Sequence, residues 1–110
     1  MGNNAWMAKR RALSKFFSDQ PGVSVSQGEL PGTYRVRYPI PTPAPKVTVI
    51  IPTRDGGPLL KKCMHSIFNR TAYDNFEVVV VDNQSEKRET VDFLQSLSKR
   101  SNVAVLRYDF

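Results

Sequence analysis

Hydrophobic and polar positions divide the chain into stretches of different period. Near the start, Trp6, Leu13 and Phe17, flanked by Phe16, fall on one narrow stripe at roughly 100° per residue, with Arg11 and Lys15 opposite. The pattern predicts an amphipathic helix from about Ala5 to Ser18, with Asn3 and Asn4 as N-cap side chains and Pro21-Gly22 as its stop. From Gly32 to Ile40 the period becomes two. Tyr34, Val36, Tyr38 and Ile40 share one side and Thr33, Arg35 and Arg37 the other, which predicts a half-buried strand. Proline then occupies every second position from Pro39 to Pro45. Lacking N–H groups and with φ fixed, this segment is a stiff connector, and it divides the chain into 1–45 and 46–110.

Beyond the connector the pattern changes. Val47-Thr48-Val49-Ile50-Ile51 is short, β-branched and nearly all apolar, as expected of a strand buried on both faces. Pro52 to Gly57 reads as a turn, and Pro58 suits the first turn of a helix. Leu59, Leu60, Cys63, Met64, Ile67 and Phe68 then recur at three- and four-residue spacing up to Asn69. Cys63 shares that apolar face and is assigned to the core, whereas His65 has no triad partner and is assigned to the surface. Phe76 to Val81 is a second buried strand, and Asp82 to Lys87 a polar loop. Val91, Leu94 and Leu97 mark one face of a second helix, Ser101-Asn102 end it, and Val103 to Leu106 form a third strand. The order β-α-β-α-β with short links implies right-handed crossovers and a parallel sheet. The expected fold class is α/β, a Rossmann-like half of a doubly wound nucleotide-binding fold, preceded by a helix and a short strand.

Composition narrows the class. With 110 residues, 40% hydrophobic and 24% charged, the chain is a globular domain or a piece of one, not a disordered segment. A single cysteine allows neither an internal disulfide nor a cysteine-rich zinc site. There is no bilayer-length apolar run and no apolar core of a signal peptide at the start. Met1-Gly2 opens like a myristoylation signal, but Trp6 stands where that signal needs Ser or Thr. A cytoplasmic protein is the expectation, with a peripheral position at the inner membrane face left open. Asn69-Arg70-Thr71 and Asn83-Gln84-Ser85 fit the N-glycosylation pattern, which without a secretory signal reads as coincidence.

The net charge of +6 lies mostly at the front: six basic against two acidic residues in 1–45, ten against eight in 46–110. Such an excess attracts anions without selecting among phosphates, anionic lipid and nucleic acid. No nucleic-acid recognition motif accompanies it, so nucleic acid is not an expected partner. Aromatic and basic faces on the first helix suit contact with a membrane surface. Arg10 beside the apolar stripe favours packing on a neighbouring part of the same protein.

In open α/β sheets ligands bind beyond the carboxyl ends of the strands. Those ends carry Pro52-Thr53-Arg54-Asp55-Gly56-Gly57, Asp82-Asn83-Gln84-Ser85 and Arg107-Tyr108-Asp109-Phe110. The first loop contains neither the G-x-G-x-x-G dinucleotide fingerprint nor a Walker phosphate loop. Gly56-Gly57 ahead of a helix either offers N–H groups to an anion or merely permits a tight turn.

Two of these segments carry a resemblance. Lys46-Val47-Thr48-Val49-Ile50-Ile51-Pro52-Thr53-Arg54-Asp55 and, one helix later, Phe76-Glu77-Val78-Val79-Val80-Val81-Asp82-Asn83-Gln84-Ser85 resemble the opening of family 2 glycosyltransferases. In that family a hydrophobic strand ends in Pro-Thr/Ser-x-Asn/Asp and the next in Asp-Asn/Asp-x-Ser. The resemblance covers 46–110, and the segment from Pro31 to Tyr38 with its proline linker resembles what precedes this domain in large bacterial cell-surface polysaccharide transferases. It implies a GT-A fold binding a nucleotide-diphosphate sugar. Pro52, Thr53, Arg54 and Asp55 would line the base and ribose, and Asp82, followed by Asn83, would accept a hydrogen bond from the base. A charge-assisted hydrogen bond of that kind contributes ~1.5–3 kcal/mol, so its loss weakens binding roughly 10- to 100-fold.

The family also implies a divalent metal, Mg²⁺ or Mn²⁺, held by a later Asp-x-Asp, a later catalytic carboxylate, and a glycan acceptor, with inversion at the anomeric carbon. Asp19, Asp55, Asp74, Asp82, Asp92 and Asp109 include no Asp-x-Asp pair. The expectation is therefore either a fragment of a longer enzyme or a truncated product, which binds weakly and does not catalyse. The alternative is a non-catalytic nucleotide-binding or interaction module. The resemblance also implies the strand order 3-2-1 with a fourth strand beside the first. Truncation before that fourth strand would leave the first with unpaired N–H and C=O groups, inviting self-association.

Overall fold

The structure, a computed structural model, describes residues 2–109 and comprises two compact units, Met1–Thr42 and Pro43–Phe110. The first contains α1 (Gly2–Phe16), β1 (Ser24–Gln27) and β2 (Tyr34–Arg37). Helix α1 starts earlier than its apolar stripe, so positions 3 and 4, expected to cap it, lie inside it. Trp6 and Leu13 of the helix and Phe17 just after it are half-buried, as the stripe predicts, while Phe16 faces solvent. The Trp6 ring stacks on Tyr34 with centroids 6.0 Å apart, and the Tyr34 hydroxyl donates to the Trp6 carbonyl at 3.2 Å. Arg10 lies over Trp6, 5.4 Å from its centroid, and its Nε donates to the Val25 carbonyl at 3.4 Å. A basic residue beside the apolar stripe is thus placed by a cation–π contact within this unit.

Strand β2 pairs antiparallel with β1, a strand beyond those expected from the sequence, in the register Ser24↔Arg37 to Gln27↔Tyr34. The strand expected to reach Ile40 stops at Arg37, leaving Tyr38 and Ile40 exposed. Its partner ends there: Pro21-Gly22 turns the chain just before β1, and Pro39 has no N–H to extend a ladder.

The second unit contains β3 (Val47–Thr53), α2 (Gly57–Arg70), β4 (Phe76–Asp82), α3 (Arg88–Ser98) and β5 (Val103–Arg107). The three strands are parallel in the order β3-β4-β5, with Val47 opposite Phe76 and Val78 opposite Val103. This is the α/β Rossmann-like half expected from the β-α-β-α-β pattern. The two crossovers step the same way across the sheet, so α2 and α3 share one face. Leu60 and Met64 of α2 and Leu94 and Leu97 of α3 pack with Val78, Val80 and Val103, and Val49, Ile51 and Val105 close the margins.

That arrangement corrects one expectation. The strands are not covered on both faces: the alternate residues Ile50, Pro52, Ala104 and Leu106 are exposed, Ile50 by 66%. An all-apolar run does not say how many layers cover it. Cys63 is also corrected, being exposed together with Leu59, because the buried face of α2 centres on Leu60, Met64 and Ile67. Arg100 stacks 4.0 Å from the Phe68 ring centroid and shields the rim of the core. Among the described residues no helix is long and apolar enough to cross a membrane.

Candidate functional site

Parallel pairing brings the carboxyl ends of all three strands to one side of the sheet. Thr53 and Asp82, each the last residue of its strand, are register partners, and Asp82 in turn faces Arg107. The ladder continues one step further: the Asn83 N–H donates to the Thr53 carbonyl and the Tyr108 N–H to the Asp82 carbonyl, each at 2.8 Å. The two loops that the sequence singles out are therefore adjacent, as a shared ligand requires.

Asp82 is 4% exposed. Its Oδ1 accepts from the Ser85 N–H at 3.1 Å, closing the loop after β4, and its Oδ2 lies 3.7 Å from the Arg107 guanidinium. Arg107 is shared, because its Nε also donates to Asp109 at 3.1 Å. Burying a carboxylate without such partners is costly. With room for about four hydrogen bonds, it keeps acceptor capacity on the Oδ2 side.

Asp55 sits in the left-handed region (φ 49°), as does Gln84 (φ 56°). Its N–H donates to the Ser85 hydroxyl at 2.9 Å, and its Oδ1 accepts from the Glu86 and Lys87 N–H groups, both at 2.9 Å. These bonds join residues about thirty positions apart. They hold the Asp55 carboxyl below its ordinary range, the Lys87 N–H most strongly, then Glu86, with the Lys87 and Arg54 cations adding to the effect. Gly57 completes the junction, because a Cβ there would lie 3.0 Å from the Thr90 hydroxyl, so α2 approaches α3 closely.

The predicted residues do not converge on one hollow. Pro52, Thr53 and Arg54 line a groove of ≈ 300 Å³ with Gly56, Leu59 and Cys63. Asp82 lines another, of ≈ 250 Å³, with Arg107, Leu94, Gln95 and Val105. Asn83 is half-buried and contributes its backbone to the ladder. Sequence reasoning gave no role to Ser85, Thr90 or Arg107. Ser85, 2% exposed, was visible as the last residue of the Asp-Asn-x-Ser motif, but nothing in the sequence pairs it with Asp55.

A divalent cation needs several converging hard oxygens. Among the described residues no three His, Cys, Asp or Glu side chains converge in that way. At the tips, Asp55 Oδ1 already receives two N–H groups and Asp82 Oδ1 one, and the Arg107 cation beside Asp82 Oδ2 opposes a second positive charge there. The residues described here do not fit a metal site.

The parallel strands β3-β4-β5 with helices between them define an α/β half-domain of Rossmann-like type, and comparison with known proteins assigns it to a family. Residues 48–109 match the family described as Glycosyl transferase family 2. The chain belongs to this family. It is 40% identical over 103 residues to an uncharacterized protein, y4gI, of Sinorhizobium fredii, covering 91% of this chain and 11% of that protein. It is 37% identical over 93 residues to the O-antigen biosynthesis protein RfbC of Myxococcus xanthus, covering 84% of this chain and 7% of that one. The chain thus spans about a tenth or less of the length of these relatives. No solved structure matches it.

Proposed function

We propose that the unit 43–110 holds the nucleotide of a nucleotide-diphosphate sugar across the tips of β3 and β4. In the intact protein this binding serves transfer of the sugar to a glycan in polysaccharide synthesis. The observation that carries the reading is the register pair Thr53–Asp82, which sets the two family motifs side by side at the carboxyl end of a parallel sheet. Pro52, Thr53 and Arg54 line the base and ribose, and Asp82 accepts from a ring N–H with Asn83 beside it. The polysaccharide context draws on the Myxococcus relative, whose name states O-antigen biosynthesis. The divalent metal, the catalytic carboxylate and the acceptor site are supplied by sequence outside these 110 residues, so the chain alone binds weakly and does not catalyse.

Calorimetric titration with uridine diphosphate, with and without Mn²⁺, tests this. Weak binding by the wild type, reduced roughly 10- to 100-fold in Asp82→Asn, is expected. No binding by a folded wild type overturns it and favours a second reading, an interaction module. That reading rests on β3 being an edge strand beside an open apolar face that displays Ile50 and Leu106.

A further inference from the structure

We infer that Asp55 and Ser85 are positioning residues, a clasp that fixes the gap between the β3 loop and Asp82 and does not touch the nucleotide. The inference rests on the nucleotide reading above and assigns Asp55 a different task from the ligand contact that its motif position suggests.

Three hydrogen bonds carry it. The Asp55 N–H donates to the Ser85 hydroxyl, and the Glu86 and Lys87 N–H groups donate to one Asp55 carboxylate oxygen, all at 2.9 Å. Each bond crosses from the β3 loop to the β4 loop, and none lies within either loop. Lys87 occupies the N-cap position of α3 and makes no side-chain cap of its own. Asp55 supplies from another loop the acceptor and the negative charge that a helix start favours.

The network also reaches the proposed base acceptor. Ser85 is tied by its hydroxyl to Asp55 and by its N–H to Asp82 Oδ1, at 3.1 Å. Asp55 therefore acts on Asp82 through Ser85, a buried intermediate. Both loops also hold a residue in the left-handed region, Asp55 and Gln84, a conformation that persists only where the surrounding structure fixes it. A carboxylate oxygen already receiving two backbone N–H groups is a framework group. The neighbouring Thr53 and Arg54 are among the residues that line the adjoining groove, whereas Asp55 is not.

The test uses the whole 110-residue chain, amide NMR and uridine diphosphate as probe. In the wild type, the Glu86 and Lys87 amides are protected from exchange, and their shifts follow a carboxyl that titrates below the usual range. Asp55→Ala abolishes that protection and lowers uridine diphosphate affinity roughly tenfold. Asp55→Asn keeps an oxygen acceptor at the same place, so it retains protection and holds affinity within about threefold of wild type. Should Asp55→Ala fail to fold, Ser85→Ala removes only the acceptor of the Asp55 N–H, and the same comparison applies to the Asp55 amide.

Unchanged exchange at Glu86 and Lys87 in Asp55→Ala overturns the clasp. So does Asp55→Asn losing affinity as fully as Asp55→Ala while its amides stay protected, because Asp55 would then touch the nucleotide. A folded wild type that binds no uridine diphosphate overturns the nucleotide reading instead, and the exchange data still decide the clasp.

Discussion

Comparing alanine with asparagine at Asp82 separates its structural role from the binding role proposed for it. The carboxylate is buried, and Oδ1 is the acceptor for the Ser85 N–H, itself in a residue 2% exposed. Alanine leaves that donor without a partner, which costs ~1–3 kcal/mol. The pair with Arg107 is long at 3.7 Å and half-exposed on the arginine side, so its loss adds only ~0–1 kcal/mol. A unit of this length has a total stability of roughly 3–10 kcal/mol, so Asp82→Ala removes a substantial part of it. With a urea m-value of about 1 kcal/mol/M, near the lower end for small domains, the midpoint falls by roughly 1–3 M. Asp82→Asn retains an oxygen for Ser85 and loses less than ~1 kcal/mol, although its affinity for uridine diphosphate falls. Urea denaturation followed by circular dichroism reads the difference. Equal destabilisation by the two variants would refute the reasoning, because it would make the ion pair, not the Ser85 bond, the dominant contact.

Other outcomes follow from the same geometry. Gly57→Ala drives a methyl group to 3.0 Å from the hydroxyl of Thr90, a residue 1% exposed. It destabilises by ~1–3 kcal/mol, and Thr90→Ala in the same chain recovers part of the loss in a thermal melt. Lys46 and Thr48 hold the Glu77 carboxyl below its ordinary 4.5, the Lys46 hydrogen bond most strongly. The stability this pair contributes is present above the ordinary carboxyl range and is lost as pH falls through the lowered value. Lys46→Ala moves the Glu77 midpoint upward in a carbon NMR titration, and an unmoved midpoint counts against the contact. From the β3 edge and the open face, concentration-dependent self-association is the expected outcome in size-exclusion chromatography. Ile50→Lys weakens this without lowering the melt, and a wild type that stays monomeric at high concentration removes the premise.

The strand tips show how far the residues could be read in advance. Val47 to Ile51 and Phe76 to Val81 are apolar and β-branched enough to declare strands without reference to the rest of the molecule. The crossover helix between them forces parallel pairing. Together these features bring Thr53 and Asp82 to the same end of the sheet, which is why the candidate residues were legible. Strand β1 was not, because Val23-Ser24-Val25-Ser26 alternates over too few residues to stand out from a loop. Cys63 was misplaced for a related reason. Spacing marks a broad apolar sector of α2, and only the sheet decides which part of that sector is covered.

From the order of residues alone come the β-α-β-α-β succession, the break at the proline run, and the two polar tips carrying the family motif. Those follow from local periodicity and backbone chemistry. The tertiary structure decided which sheet face lies open, that Arg107 pairs with Asp82, and that Asp55 reaches across to cap the start of α3. Such facts depend on the direction of successive crossovers and on hydrogen bonds between residues about thirty positions apart, which no local pattern encodes.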